Sequence, residues 1–214
     1  MTSPLFSTAY LPPVAYIAMM TQYDHMLIEQ METFPKQTFR NRAVIATAGG
    51  PLMLNVPIVR TNGNHTRTEE IIISYQEPWN IRHWRAIVSA YSAAPYFLYY
   101  RDGIEQILLQ PYTRLIDLND ALLKYILKKL KINCTTAFTE DFSEPIQATH
   151  DHRYSLTTKH ASTLFQESLL PHPYPQVFDT RYPFQPNLSI IDLLFNVGPE
   201  SKTLLTNIGT HIVG

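Results

Sequence analysis

Leu5-Phe6-Ser7-Thr8-Ala9-Tyr10-Leu11-Pro12-Pro13-Val14-Ala15-Tyr16-Ile17-Ala18-Met19 is the stretch that decides the class of fold. Leu5 to Tyr10 reads as a short strand. Pro13 then opens a helix through Val14, Ile17, Ala18 and Met19, because the N–H that proline lacks is unpaired in a first helical turn anyway. His25 to Gln30 reads as a second strand, so the chain opens with a strand-to-helix crossing. Arg42 to Thr47 and Leu52 to Arg60 are β-prone runs flanking the turn signal Gly49-Gly50-Pro51, which predicts a hairpin.

Beyond the hairpin, Thr61 to Thr68 reads as a solvated loop and Ile71-Ile72-Ile73 as another strand. Trp79, His83, Ile87, Val88 and Tyr91 recur at helical spacing from Trp79 to Ala93, and Pro95 stops that helix. Arg114 to Ile132 gives the clearest helix. Leu115, Leu118, Leu122, Ile126 and Leu130 share a face, with Asp117 and Asp120 early and Lys128, Lys129 and Lys131 late, as the helix dipole favours. Ser189 and Asp192 match a capping box, and Asn196-Val197-Gly198-Pro199 supplies a stop before a last short helix through Leu205. The fold expected is α/β, with a mixed α+β arrangement as the alternative: one domain over residues 1–214, a central mixed sheet and flanking helices.

Composition excludes several function classes. The 17 Lys and Arg are balanced by 18 Asp and Glu, so there is no basic field for a polyphosphate backbone and nucleic acid is not an expected partner. The 7 glycines in 214 residues leave no Gly-rich phosphate loop. The single cysteine, Cys134, cannot form an internal bridge, and nothing near the amino terminus reads as a signal peptide. A reducing cytoplasm is therefore the expected compartment. The most apolar stretch, Leu188 to Phe195, is interrupted by Ser189 and Asp192 and is far short of the roughly 20 residues of a membrane helix. No cofactor is expected.

Four segments together resemble the WbqC-like family. They are Thr8-Ala9-Tyr10-Leu11-Pro12-Pro13; Phe34-Pro35-Lys36-Gln37-Thr38-Phe39-Arg40-Asn41-Arg42 leading into Leu52 to Pro57; Trp79 with His83, Tyr91 and Ala94-Pro95-Tyr96-Phe97; and Tyr174-Pro175-Gln176 with Asn187 to Asn196. Order and spacing agree over about residues 5 to 207. Many members open with Gln-Pro where this chain has Thr8-Ala9, so no role of that glutamine carries over. The family's genes are often found among surface-polysaccharide genes. Those gene surroundings, taken with the Lys36 to Arg42 segment and His83, lead to the expectation of acyl or aminoacyl transfer to an amino sugar or related acceptor, or, as the alternative, a non-catalytic protein that holds an anionic glycan intermediate or carrier.

Each candidate site residue has a functional and an ordinary reading. Lys36, Arg40 and Arg42, beside Gln37 and Asn41, can grip a carboxylate or phosphate; equally, they are surface ion pairs on a strand edge. If Arg40 to Arg42 is extended, both arginines share one face and Asn41 takes the other. His83, on the helical face with Trp79 and Tyr91, is either an acid–base group or a core histidine held by a hydrogen bond. Tyr174 and Gln176 suit sugar or amide recognition, or pack a proline-rich loop onto the core. Asp192 reads as a helix cap. His150 and His152 lack a third ligand, so no metal site is expected, and Cys134 reads as a semi-buried thiol. The site expected is one cleft in which Lys36, Arg40 and Arg42 face Trp79, His83 and Tyr174 to Gln176 and take a small anionic or sugar-linked ligand.

Overall fold

In the computed structural model, which describes residues 3–142, 151–153 and 173–213, the opening stretch forms strand β1 (Leu5–Ser7), helix α1 (Val14–Met20) and strand β2 (His25–Glu29). Every residue of α1 is buried, which is why its sequence is apolar on all sides rather than on one stripe. Pro13 sits at the N-cap, one position earlier than expected. The free N–H groups of the first turn are met from across the fold, Val14 by the Leu188 carbonyl at 2.9 Å and Ala15 by Asn187 Oδ1 at 3.1 Å.

The crossover lays β1 and β2 parallel, Leu5 opposite Leu27, and β7 (Thr135–Phe138) joins β2 in parallel, His25 opposite Thr135. A bridge from Leu5 to Asp151 extends the pairing beyond β1. The expected hairpin is β3 (Arg42–Thr47) and β4 (Gly50–Asn55), antiparallel with Arg42 opposite Asn55. Two short strands, β5 (Ile58–Val59) and β6 (Ile72–Ile73), form a second antiparallel ladder. Parallel and antiparallel pairings are thus both present, in separate ladders.

Helices α2 (Trp79–Tyr91) and α4 (Leu115–Leu130) lie where their periodicity places them. Between them, α3 (Phe97–Leu109) is a helix that the sequence reading leaves out. Its apolar residues do not make a clean stripe: Phe97, Tyr100, Ile104 and Leu108 are buried, yet Leu98 and Tyr99 are 72% and 74% exposed. Gly103, which weakens a helical pattern, is required by packing, since a Cβ there would lie 2.2 Å from a ring carbon of Tyr125 on α4.

Thr61 to Thr68 is more ordered than a solvated loop. It holds a 3₁₀ turn (Gly63–His65), leads into a second (Thr68–Glu70), buries Thr66 and Thr68, and takes a hydrogen bond from Phe34 N–H to the Thr66 carbonyl at 3.0 Å. At the carboxyl end, α5 (Ile190–Val197) stops at Gly198 with φ 63°, and α6 (Ser201–Val213) runs well past Leu205. The capping box is absent: the Ser189 hydroxyl donates to the Leu11 carbonyl at 2.9 Å, and the Asp192 carboxylate turns inward. One apolar core runs through α1, the inner faces of α2 to α4, and α5.

Candidate functional site

The loop from β2 to β3 builds a cleft of about 440 Å³ with the end of β4 and the chain after it, lined by Phe34, Lys36, Gln37, Asn41, Arg42 and Asn55 and, on the far wall, Val56 to Ile58 and Arg60. Its base is tied by backbone bonds, Tyr10 N–H to the Phe39 carbonyl and Val56 N–H to the Asn41 carbonyl, both at 2.9 Å. Gln37, at the loop tip, holds φ at 57°, a left-handed conformation that is uncommon outside glycine and asparagine.

Lys36, Arg42 and Arg60 bring three cations to this cleft, and among the described residues none is within ion-pair distance of a carboxylate. Arg42 Nε donates to Asn55 Oδ1 at 3.3 Å, and Asn41 Nδ2 donates to the same oxygen at 3.1 Å and to the Val56 carbonyl at 3.0 Å. The Arg60 guanidinium lies over the Phe34 ring, 5.3 Å from its centroid, which fixes a long side chain by cation–π contact. Cations that line a concavity without spending their charge on neighbours create a field suited to an anion.

The extended-strand expectation for Arg40, Asn41 and Arg42 is corrected. Asn41 and Arg42 line the cleft together, and Arg40 is the residue turned away. Its side chain is 2% exposed: Nε donates to Glu32 Oε1 at 2.7 Å, and Nη2 lies 2.7 Å from the same oxygen outside hydrogen-bonding geometry. Burial pushes the Glu32 carboxyl above the usual range, and Arg40 only partly opposes that. A neighbouring set sits at the carboxyl ends of the parallel strands. Glu29 accepts from Arg153 Nη1 at 3.0 Å and from the Thr139 hydroxyl at 2.9 Å, and Arg153 also grips Asp151 through Nε and Nη2. Burial raises the Asp151 carboxyl, but the hydrogen bonds from Arg153 outweigh it and leave the group below its ordinary value.

Trp79 and His83 lie behind the β4 wall. His83 is 7% exposed, its Nδ1 is 2.9 Å from the Tyr10 hydroxyl, and the backbone of Asn55, a cleft residue, acts on its ring. Burial, then the Arg82 charge, push its pKa down to about 4, with the Asn55 carbonyl acting in the opposite sense. At neutral pH the imidazole is uncharged. Trp79 packs edge-on to His83 with ring centroids 5.1 Å apart.

Tyr91, Tyr174 and Gln176 gather elsewhere, around Asp192. The Tyr174 hydroxyl donates to Asp192 Oδ2 at 2.8 Å, and Gln176 Nε2 donates to the same oxygen at 3.1 Å. Gln176 spends its remaining capacity on the Gln185 backbone, at 3.0 and 2.9 Å. The Tyr91 hydroxyl accepts from Ala46 N–H at 3.1 Å and acts on the same carboxyl, although among the described residues Asp192 Oδ1 has no hydrogen-bond partner of ordinary geometry. Burial raises the pKa of Asp192 against these donors. Asp192 is therefore the centre of a buried polar knot that clamps the proline-rich segment, not a cap.

The groups expected in one cleft thus occupy four places, with Arg40 turned to Glu32. Lys36, Gln37, Asn41 and Arg42 come together; Trp79 and His83 stand behind them; Tyr91, Tyr174 and Gln176 surround Asp192. The sequence reading missed Asn55 and Arg60. Asn55 carries a signal, because the hairpin register that places Gly50 opposite Thr47 also places Asn55 opposite Arg42. Of the histidine pair, His150 lies outside the described residues, and His152 Nε2 is 2.9 Å from the Tyr23 hydroxyl. Burial and the Asp24 charge push the Cys134 thiol up to about 11, so it stays protonated. Among the described residues no group of three or more His, Cys, Asp or Glu could hold a metal ion, and no described helix is long and apolar enough to cross a membrane.

The WbqC-like protein family model matches residues 8–164 and 155–204 of this chain. The protein of Mycobacterium tuberculosis named Uncharacterized protein Rv1507c is 29% identical over 218 residues, covering 92% of this chain and 94% of that one. No solved structure matches the chain.

Proposed function

The chain belongs to the WbqC-like protein family, and from that membership and the cleft we propose that it binds an anionic small molecule of surface-polysaccharide synthesis and transfers an acyl or aminoacyl group to it in the cytoplasm. The observation that carries this reading is the set Lys36, Arg42 and Arg60, which line one cleft with three amides and no ion-paired carboxylate among the described residues. Such a site holds the ligand by its charge and leaves an amine on the sugar free to react. The amine nitrogen then attacks the carbonyl carbon of an activated donor, a thioester or ester. The new C–N bond replaces the C–S or C–O bond, and the leaving thiol or hydroxyl takes the proton that the amine loses. No side-chain nucleophile is needed for that step.

A second reading, a non-catalytic holder of an anionic glycan intermediate, is favoured by one observation. Among the described residues no serine or cysteine lines the cleft, and His83, the candidate base, is buried, uncharged and occupied. Titration calorimetry with an amino-sugar phosphate and the same sugar without phosphate tests the shared premise: the phosphate ester binds and the neutral sugar does not. Equal binding of the two sinks both readings. Mass spectrometry after adding an acyl or aminoacyl thioester separates them, since only the transferase leaves the sugar heavier by the acyl group.

A further inference from the structure

Arg42 is presented more specifically than a charge alone requires. A guanidinium offers five N–H donors in one plane, and here Nε is taken by Asn55 Oδ1 at 3.3 Å while, among the described residues, neither Nη group has a hydrogen-bond partner. The oxygen that orients Nε is itself fixed, because Asn41 Nδ2 donates to it at 3.1 Å and is held in turn by the Val56 carbonyl at 3.0 Å. The backbone of Asn55 faces two neighbours. It pairs with Arg42 across the hairpin and acts on the His83 ring, whose Nδ1 faces the Tyr10 hydroxyl at 2.9 Å. A ring that donates to the Asn55 carbonyl carries its proton on Nε2 and leaves Nδ1 to accept from the Tyr10 O–H.

We propose that Arg42 is the anchor of the cleft, offering Nη1 and Nη2 as a paired donor edge to one multiply charged oxyanion, a phosphate or diphosphate, with Asn55, Asn41 and His83 as positioning residues. This rests on the reading that the cleft takes an anion, and adds which anion and by which edge. Paired donation from Arg matches the oxygens of phosphate in geometry as well as charge. Lys36 and Arg60 add two further cations in the same cleft, an arrangement that a singly charged carboxylate leaves unbalanced and a phosphate or diphosphate uses. His83 acts through the backbone of Asn55, since its own ring does not line the cleft.

The test uses inorganic pyrophosphate, inorganic phosphate and acetate with the full chain, by calorimetry at fixed ionic strength. Pyrophosphate is expected to bind at least about tenfold more tightly than acetate, and Arg42→Lys, which keeps the charge and loses the fork, to weaken pyrophosphate by about tenfold. Asn55→Ala should weaken it by about threefold to tenfold with Arg42 intact, and Asn55→Asp, which sets an anion beside Arg42, should abolish it. In ¹⁵N NMR of the wild-type protein, His83 should show the Nε2–H tautomer, and the Arg42 Nε–H should exchange slowly.

Failure of the wild-type chain to bind any of the three anions overturns the reading of the cleft itself. Binding with Arg42→Lys equal to wild type, or acetate equal to pyrophosphate, overturns the anchoring fork alone. If Asn55→Ala lowers the melting temperature and so confuses the affinity, the wild-type NMR decides: a fast-exchanging Arg42 Nε–H or an Nδ1–H tautomer at His83 overturns the positioning chain.

Discussion

Arg40 and Arg42 stand two residues apart and meet opposite fates. Arg40 belongs to the buried region at the carboxyl ends of the parallel strands, where Glu32 takes its charge and, nearby, Arg153 is shared between Glu29 and Asp151. Arg42 belongs to the cleft, where its only polar partner among the described residues is the oxygen of a neutral amide. A guanidinium fully spent on carboxylates does structural work and is costly to disturb, because what remains is a buried charge without a partner. A guanidinium steadied by an amide keeps its charge available. Residue type does not distinguish the two roles; the chemistry of the neighbour does.

The contrast is broken most forcefully at Arg40. Arg40→Ala strands Glu32 in the interior and should cost about 3–5 kcal/mol, read as a shift of the guanidinium denaturation midpoint. Arg42→Ala should cost under about 1 kcal/mol in the same measurement, as half-exposed charges do. Equal losses would mean that the two regions are not different in kind.

Next in size is the acid response of the wall between them. His83 has a pKa near 4 in the folded chain against an ordinary 6.5, so on lowering the pH the unfolded chain takes up its proton first. Stability from this group is full above about pH 6.5 and falls as the pH drops toward 4, with about 2 kcal/mol lost by pH 5. Glu32 and Asp192, whose values are raised, act in the opposite sense, contributing most at low pH and losing that contribution as the pH rises through their folded values. Comparing thermal melts of wild type and His83→Gln from pH 7.5 to 5 isolates the histidine. The wild type should lose more over that range, and parallel curves would remove His83 from the account.

Smaller effects sharpen the cleft side. Lys36→Ala and Arg60→Ala should each reduce pyrophosphate affinity by about twofold to fivefold with unchanged melting temperatures, and the reductions should shrink in high salt. Smallest of all is Asp192→Asn, because Asp192 Oδ2 accepts both hydrogen bonds and, among the described residues, Oδ1 has no partner of ordinary geometry. An amide keeps the accepting oxygen, so chemical denaturation should change by less than about 1 kcal/mol. A larger loss would mean that the carboxylate is charged and that its charge matters.

What the sequence made legible was local. The opening strand and helix, the hairpin at Gly49-Gly50 and helices α2 and α4 follow from short-range pattern, and Lys36, Gln37, Asn41 and Arg42 were drawn from one stretch that does line one cleft. The misses have physical causes. In α3 the exposed Leu98 and Tyr99 and the packing glycine Gly103 blur the apolar stripe. The four residues of β7 are too few to show alternation, and only β2 makes them a strand. Arg40 could not be separated from Arg42 because the choice is made by Glu32, on the far side of the loop. Tyr174 and Gln176 went to Asp192 because a buried carboxylate recruits donors wherever they lie in the chain.

The register of the parallel sheet has a consequence for the time at which each region comes into being. Arg42 and Asn55 are separated by 13 residues, whereas Arg153 and Glu29 are separated by 124, and closing the longer loop costs about 2 kcal/mol more in chain entropy. A ribosome releasing the chain from its amino terminus therefore exposes the whole cleft, residues 34 to 60, long before Arg153 exists. During that interval Glu32 already has Arg40, but Glu29 has no arginine to meet it, so the carboxyl end of the parallel sheet is a carboxylate waiting on synthesis. The nascent chain can assemble its anion cleft at a stage when the sheet behind it cannot yet be closed.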